Sequence, residues 1–535
     1  MKPPSRFKTG LSWPTLLLRG LPLAILVLCS IESVGYFLCL DDACYLRTAK
    51  WLWTHVPVAQ RTPCFHSARV VMPLSIYALT PITGSLYWAG ALASFICAAG
   101  TVLILSLYWG RSLPWRVPIL AGLITASCPL FVRFSTAVMP ESFSALFLVL
   151  AVFQYERGRA EQFRKGQLLL VGVWIGLATV CRQSNIIVGL VLLAALFLAS
   201  FRAGGISKFI QRAALLTLGG VAVLLATLWA THHMFGDALF FLRKSSSMAE
   251  IWVRDEDYRP FWKDPLFYIR TLSSMYHFAG LGTLLFLCSL ISCIRGPLRL
   301  EGVVVGVYSL YFTLGSVSLK HYVPPEQVDR YLVAVIPFLA MCGAYWLERA
   351  YSFVVANDAA QRRKAWRTIT GNALVLIPLG ISVIVALLNN RPICPVTLQT
   401  HLIERALSDQ HFPVHATRDF LSRYNALLSE AALASIRHWT PGDPLPDPCA
   451  VFLCEDDFEK AAQRKVLERG IDWGHARWEG IEMQRSVLRR VLDRMRGRSL
   501  TEYGRGCMLY VVRSDKSFAR HGTRSLPWGE ALSHE

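Results

Sequence analysis

Eleven apolar stretches, each about as long as a membrane-crossing helix, recur through the first 388 residues. They lie at about 16–40, 86–109, 117–133, 138–154, 167–181, 185–201, 213–233, 276–293, 302–319, 331–347 and 368–388. A hydrocarbon core about 30 Å thick takes roughly 20 apolar residues in a helix. Backbone polar groups in lipid must be paired within the segment, which makes such runs helical. A soluble domain does not carry 53% hydrophobic and only 17% charged residues over 535 positions. The expected fold is a polytopic α-helical membrane protein with about 11 transmembrane helices.

The charge pattern gives these spans a direction. The formal net charge is +19, with 55 Lys and Arg against 36 Asp and Glu. Basic patches can bind nucleic acid, but much of this excess sits in short loops between alternate spans, as the positive-inside rule expects. No nucleic-acid partner is therefore expected. Lys2, Arg6 and Lys8 place the N-terminus in the cytoplasm. Alternating the spans then puts Arg111 and Arg116, Arg157 to Lys165, Arg202 to Arg212, Arg295 and Arg299, and Arg362 to Arg367 on the same side. The first run is long enough to span and lacks a small-residue cleavage site, so it is not read as a signal peptide.

The opposite side receives Asp41-Asp42, Pro140-Glu141, Arg182, the loop at about 235–277, the loop from Lys320 to Arg330, and the tail after Asn390. Residues 1–388 form the membrane domain, with interfacial helices expected at about 43–80. Residues 389–535, about 145 of them, suffice for one small outer domain. It reads as α/β or α+β, with a helix from Ala416 to His438 and strands at Ala450 to Leu453 and Met508 to Val512. Of the 14 cysteines, Cys44, Cys64, Cys394, Cys449, Cys454 and Cys507 fall outside. An oxidising compartment permits disulfides among them, in any of about fifteen pairings. No cysteine spacing resembles a zinc site.

The outer polar residues come in short clusters. The run from Leu16 to Leu40 ends in Asp41-Asp42-Ala-Cys-Tyr45, with Ala49 and Trp51 beyond. Arg69-Val-Val-Met-Pro73 opens the second interfacial helix, and Pro140-Glu141 stands at the mouth of another span. Gly176-Leu-Ala-Thr-Val-Cys-Arg182 places a cation between two apolar runs. Asp329-Arg330-Tyr331 precedes Pro337. Carboxylates delivered to a membrane surface are costly to desolvate and mark candidate sites. Each cluster also has a plainer reading. Asp41 and Asp42 could be solvated residues ending a helix, Glu141 a first-turn acid favoured by the helix dipole, and Arg182 an interfacial snorkelling residue. Arg69, Lys320 and Arg330 could be ordinary loop charges.

In order and sidedness these motifs resemble the membrane-embedded glycosyltransferases of the GT-C superfamily, which include the protein O-mannosyltransferases and the aminoarabinose transferases of lipid A. The resemblance covers about residues 15–350, and relatives often carry Asp where this chain has Glu141. It implies an inverting transferase that moves a sugar from a polyprenyl-phosphate donor to an acceptor hydroxyl on a lipid, glycan or protein. It implies Asp41, Asp42 and Glu141 as catalytic residues, with the general base at the first acidic position. Tyr45, Arg69, Arg182, Lys320, Arg330 and Tyr331 are the implied substrate contacts. A positioned carboxylate can take the acceptor proton, and arginines can stabilise the charge growing on a lipid-phosphate leaving group. No cofactor or bound metal is expected, though the residues leave a divalent metal open.

The implied location is the inner membrane of a bacterium, in contact with membrane lipid. The alternatives are a transporter or flippase, and a ligase or polymerase, of lipid-linked glycans. A transporter wants polar groups and paired broken helices near mid-membrane, whereas these clusters gather at one face. A reporter fused after Glu535 should read out as external. A cytoplasmic readout would scatter the clusters over two faces.

Overall fold

The computed structural model describes residues 13–31, 33, 40–54, 69–108, 113–240, 243, 266–316, 328–356, 361–389, 407, 414–416, 421, 427–428, 430–439, 449–454, 476–480 and 509–514. The chain divides into two compact units. One comprises Met1–Ser33, Pro57–Ser75 and Ala91–Asn390; the other comprises Val34–Val56, Ile76–Gly90 and Arg391–Glu535. The helices in chain order begin with α1 (Trp13–Ile31), α2 (Leu40–Thr54), α3 (Val71–Thr83), α4 (Leu86–Leu103), α5 (Arg116–Ser127), α6 (Pro129–Ser135), α7 (Glu141–Ala160) and α8 (Lys165–Cys181). They continue with α9 (Ile186–Phe235), α10 (Phe267–Ser273), α11 (Met275–Phe278), α12 (Gly282–Ile294), α13 (Arg299–Leu314), α14 (Ile336–Ala356), α15 (Gln361–Asn389) and the short α16 (Glu430–Ser435). Among the described residues, four helices are long and apolar enough to cross a membrane: Leu86–Leu107, Gln183–Phe201, Gly205–Phe235 and Asp329–Phe353. The bent pair α5–α6 makes a fifth if taken as one span.

Two of the apolar runs fold differently from their hydropathy. The run at 16–40 was expected as one span, but α1 stops at Ile31 and Leu40 starts a new helix. Both the backbone N–H and the hydroxyl of Ser33 donate to the Ser30 carbonyl at 3.0 Å, a local bond that competes with helix continuation. Asp41 and Asp42 therefore open α2 instead of closing α1. The run at 117–133 breaks by 70° between Ser127 and Pro129. Pro129 supplies no N–H and pushes Cys128 into extended backbone.

The 50 residues of α9 would run about 75 Å if straight. The Phe197 and Phe209 rings meet at 5.1 Å, and Arg212 Nη1 donates to Ser200 Oγ at 3.2 Å. Partners twelve residues apart on a straight helix would be about 18 Å apart. The chain thus folds back at Gly205, whose φ of +72° is in the left-handed region. The result is an antiparallel hairpin with arms Gln183–Phe201 and Gly205–Phe235, at the places of two expected spans.

The second arm of α9 lies against α8 at backbone contact. A Cβ on Gly172 would collide with the Leu216 carbonyl, and one on Gly219 with that of Leu169. Small residues let helices in lipid approach this closely, and van der Waals packing then holds them. Elsewhere in this unit α7 packs on α8, α5 packs on α1 and α14, and α12 packs on α13 and α14. A 3₁₀ turn, Asp329–Val335, leads into α14 and rests on α7.

The other unit contains α2 and a five-stranded sheet of order β2-β1-β3-β5-β4. Its strands are β1 (Val414–Ala416), β2 (Ile436–His438), β3 (Cys449–Cys454), β4 (Ala476–Gly480) and β5 (Leu509–Ser514). β1 runs parallel to β2 and β3, while β5 runs antiparallel to β3 and β4. Val451 pairs with Val512 and Phe452 with Val511; such apolar cross-strand pairs stabilise sheets. The two expected strands are thus β3 and β5. The helix expected from Ala416 to His438 is not one element, since Ala416 ends β1 and Ile436–His438 is β2. A three-residue strand has too few positions to show a period of two, and its partner across the sheet holds it in place.

Cys29, Cys97, Cys128, Cys181, Cys288, Cys293 and Cys342 are free thiols, whereas Cys44 is disulfide-bonded. The α8–α9 contact yields a paired test. Gly172→Ala should lower the melting temperature in detergent, because backbone must move. Gly166→Ala, whose Cβ meets nothing within 4 Å, should be neutral or raise stability by about 0.5–1 kcal/mol through helix propensity. Equal melting of the two variants would rule out the close contact.

Candidate active site

The site assembles at the end of the bundle where α7 begins and α8 ends. Hydroxyl groups shape the turn that leads into α7. Ser30 and Ser135 share a hydrogen bond of 2.8 Å, as do Ser33 and Thr136 at 3.0 Å, tying α1 to the end of α6. Ser94 donates to the Ala137 carbonyl at 2.6 Å, and Ser142 to that of Phe134 at 2.7 Å. These bonds satisfy carbonyls that the turn would otherwise bury unpaired. Glu141 follows in the first turn of α7, where the helix dipole favours a carboxylate.

Arg182 ends α8. Its backbone N–H donates to the Ala178 carbonyl at 2.9 Å, and its carbonyl accepts from Asn185 N–H at 3.0 Å. The Asn185 side chain donates to the Ala178 carbonyl at 2.8 Å and accepts from Tyr308 hydroxyl at 3.2 Å. The chain direction at Arg182 is thereby set by α8, α9 and α13 together. Its guanidinium donates to the Glu141 carboxylate. Both side chains are almost wholly inside, 6% and 1% exposed, so neither is a solvated or snorkelling residue. The guanidinium also stacks on Tyr331, 4.2 Å from the ring centroid, which adds a cation–π contact.

The 3₁₀ turn Asp329–Val335 completes the cluster. Arg330 Nε lies 3.9 Å from Glu141 Oε1. Asp329, one residue earlier, faces another partner set: His277 Nε2 at 2.9 Å and Arg133 Nη1 at 3.5 Å, both to Oδ2. Arg133 in turn sits 4.1 Å over the Tyr276 ring. Among the described residues, Arg133, Arg182 and Arg330 gather beside Glu141 and Asp329. Closely spaced guanidinium groups suit a phosphate, which accepts paired N–H donors.

Of the residues singled out from the sequence, Glu141, Arg182, Arg330 and Tyr331 meet here. Arg69 is within electrostatic reach of Cys181, as are Glu141 and Arg182. Asp41, Asp42 and Tyr45 lie on α2 in the other unit, and are buried: Asp41 is 8% exposed, Asp42 and Tyr45 0%. The solvated-residue reading of the acidic pair therefore fails. Lys320, residues 244–265 and the basic segment around Arg485 lie outside the described residues. Sequence reading did not pick out Arg133, Asp329, His277 and Tyr276 as site residues. Arg133 had a usable signal, a single cation within an apolar stretch. His277 had none, because its partners are far along the chain. Among the described residues, no three His, Cys, Asp or Glu side chains could together hold a metal ion.

A family model for dolichyl-phosphate-mannose-protein mannosyltransferase matches residues 68–230. The structure matches that of ArnT from Cupriavidus metallidurans in the apo state with a TM-score of 0.51 at 12% identity, over 84% of this chain and 94% of that one. The chain shares the ArnT fold. ArnT bound to undecaprenyl phosphate gives a TM-score of 0.48 at 13% identity, over the same shares of 84% and 94%. The Archaeoglobus fulgidus oligosaccharyltransferase gives 0.49 at 13% identity, over 77% of this chain and 62% of that one. No curated protein sequence matches the chain. The family match spans Arg69, Glu141 and Arg182 but ends before His277, Asp329 and Arg330.

The Glu141–Arg182 pair generates a stability test. Arg182→Met alone strands a buried carboxylate and should cost about 3–5 kcal/mol. Adding Glu141→Gln should recover most of that loss, since the uncompensated charge goes with it. Melting in detergent measures both; a double variant no more stable than Arg182→Met would contradict a direct pair.

Proposed function

We propose that this chain transfers a sugar from a polyprenyl-phosphate donor to an acceptor hydroxyl at the outer face of the membrane, with inversion. The observation that carries this reading is the pair of guanidinium groups, Arg182 and Arg330, gathered around Glu141 at one end of an apolar bundle. A lipid-phosphate leaving group gains negative charge as the glycosidic bond breaks, and preorganised cations lower that barrier. Arg330, 3.9 Å from the carboxylate, is assigned the direct phosphate contact, while Arg182 donates to Glu141. Glu141 then organises the two arginines instead of taking a proton. The ArnT whose fold this chain shares has also been solved with undecaprenyl phosphate, in accord with a lipid-phosphate donor.

The outer orientation draws support from the bundle's other end. Arg157, Arg159, Arg164 and Arg212 gather there around Glu156, Glu161, Gln162 and Phe163, away from Glu141 and Arg182. Such loops face the cytoplasm. The disulfide at Cys44 fits an oxidising compartment for the start of α2. The general base assigned here is Asp41. It keeps 8% exposure where Asp42 keeps none, and a base must be reachable by the acceptor hydroxyl. Asp42 is assigned a supporting role in α2.

In vitro transfer from a synthetic polyprenyl-phosphate sugar tests this reading. Asp41→Asn keeps shape but removes basicity and should slow transfer by about 10²-fold or more, with donor binding retained. Full activity in both Asp41→Asn and Asp42→Asn would remove the acidic pair from the mechanism.

A further inference from the structure

Buried Arg133 and the partly buried Asp329 and His277 form a cluster one residue away from the arginine assigned to the donor phosphate. Asp329 is where the 3₁₀ turn begins, and Arg330 and Tyr331 are the next two residues. The Asp329 carboxylate joins two other elements: α6 through Arg133 and α11 through His277. It also interacts with the backbone N–H of Arg330. A 3₁₀ turn has poorer hydrogen-bond geometry than an α-helix and advances about 120° per residue. An unanchored turn could shift by one residue, which would swing Arg330 and Tyr331 away from Glu141 and Arg182. Arg133 reaches the carboxylate from the Tyr276 ring, 4.1 Å from its guanidinium carbon, so aromatic packing limits its freedom too. His277 Nε2, at 2.9 Å from an acceptor-only carboxylate, must carry the proton of that bond.

We propose that Arg133, Asp329 and His277 are positioning residues of the transfer site. Their cluster clamps the start of the 3₁₀ turn and thereby aims Arg330 and Tyr331 at the Glu141–Arg182 pair. This rests on the transfer reaction proposed above, in which Arg330 meets the donor phosphate.

The test uses the full chain in detergent and a synthetic polyprenyl-phosphate sugar. Asp329→Asn should lower kcat/KM for the donor by about tenfold in the parental background. In an Arg330→Ala background the same change should cost less than about twofold, because the residue it acts through is already gone. Equal losses in both backgrounds would show that Asp329 serves only the fold, and would overturn the proposal, as would parental kinetics in Asp329→Asn. If Asp329→Asn does not fold, His277→Gln and His277→Leu replace it. Gln keeps an N–H donor and should stay near parental activity, while Leu should show the non-additive loss. Indistinguishable Gln and Leu variants would also overturn the clamp.

A readout without substrate separates this idea from the transfer reading. The alkylation rate of Arg330→Cys, followed peptide by peptide by mass spectrometry, should rise about tenfold on Asp329→Asn as the turn opens locally. An unchanged rate overturns the clamp even where transfer is confirmed. A raised rate sustains it even where the parental chain proves to use another donor.

Discussion

A carboxylate and a guanidinium held together away from water, Glu141 and Arg182, set the terms for the rest of the site. Either charge alone in that position would cost several kcal/mol of desolvation, which their mutual attraction offsets only with good geometry. The geometry comes from elements far apart in sequence. Glu141 is placed by the hydroxyl-bonded turn before α7, Arg182 by the hydrogen bonds that end α8, and Tyr331 by the turn before α14. Because α7 and α8 are antiparallel neighbours, the start of one and the end of the other meet at the same depth. Buried arginines arranged ahead of time do not need to reorganise when a charged substrate arrives, which is how preorganised sites stabilise developing charge.

The bundle around this pair is built to permit close and specific contact. Lipid chains are as apolar as leucine, so helix association in a membrane depends on packing and internal hydrogen bonds. Here both are visible. Glycines bring α8 and the second arm of α9 to backbone contact, and serine and threonine hydroxyls knit α1, α4 and α6 near the site. The hydroxyls also satisfy carbonyls at the turns, so that a bent span and a helix start can lie side by side. The break at Pro129 matters for the chemistry, because α6 carries Arg133 to Asp329.

Much of this was legible in the chain itself. The apolar runs marked helices because lipid leaves a spanning backbone no other pairing. Glu141, Arg182, Arg330 and Tyr331 stood out as polar residues at the edges of apolar runs, and the structure brings these four together. The paired strands β3 and β5 were visible as short β-branched and aromatic runs. Hydropathy failed where local bonding overrode it. It joined α1 to α2 across a serine turn, passed over the break at Pro129, and gave helical character to 416–438, where β1 ends and β2 lies.

By itself, then, the sequence determined the membrane class of the protein, its charge asymmetry and a short roster of polar residues. These follow from composition and period, which are properties of neighbours along the chain. Tertiary structure decided which charges pair. It turned Glu141 toward Arg182, set Asp329 and Arg330 toward different partners, and recruited Arg133 and His277 from segments with no motif. Pairing of that kind depends on distance in space between residues 41 to 196 positions apart, such as Glu141 and Arg182 or Arg133 and Asp329. No local pattern encodes it, because the energy of a buried charge is set by whatever the fold places within about 4 Å of it.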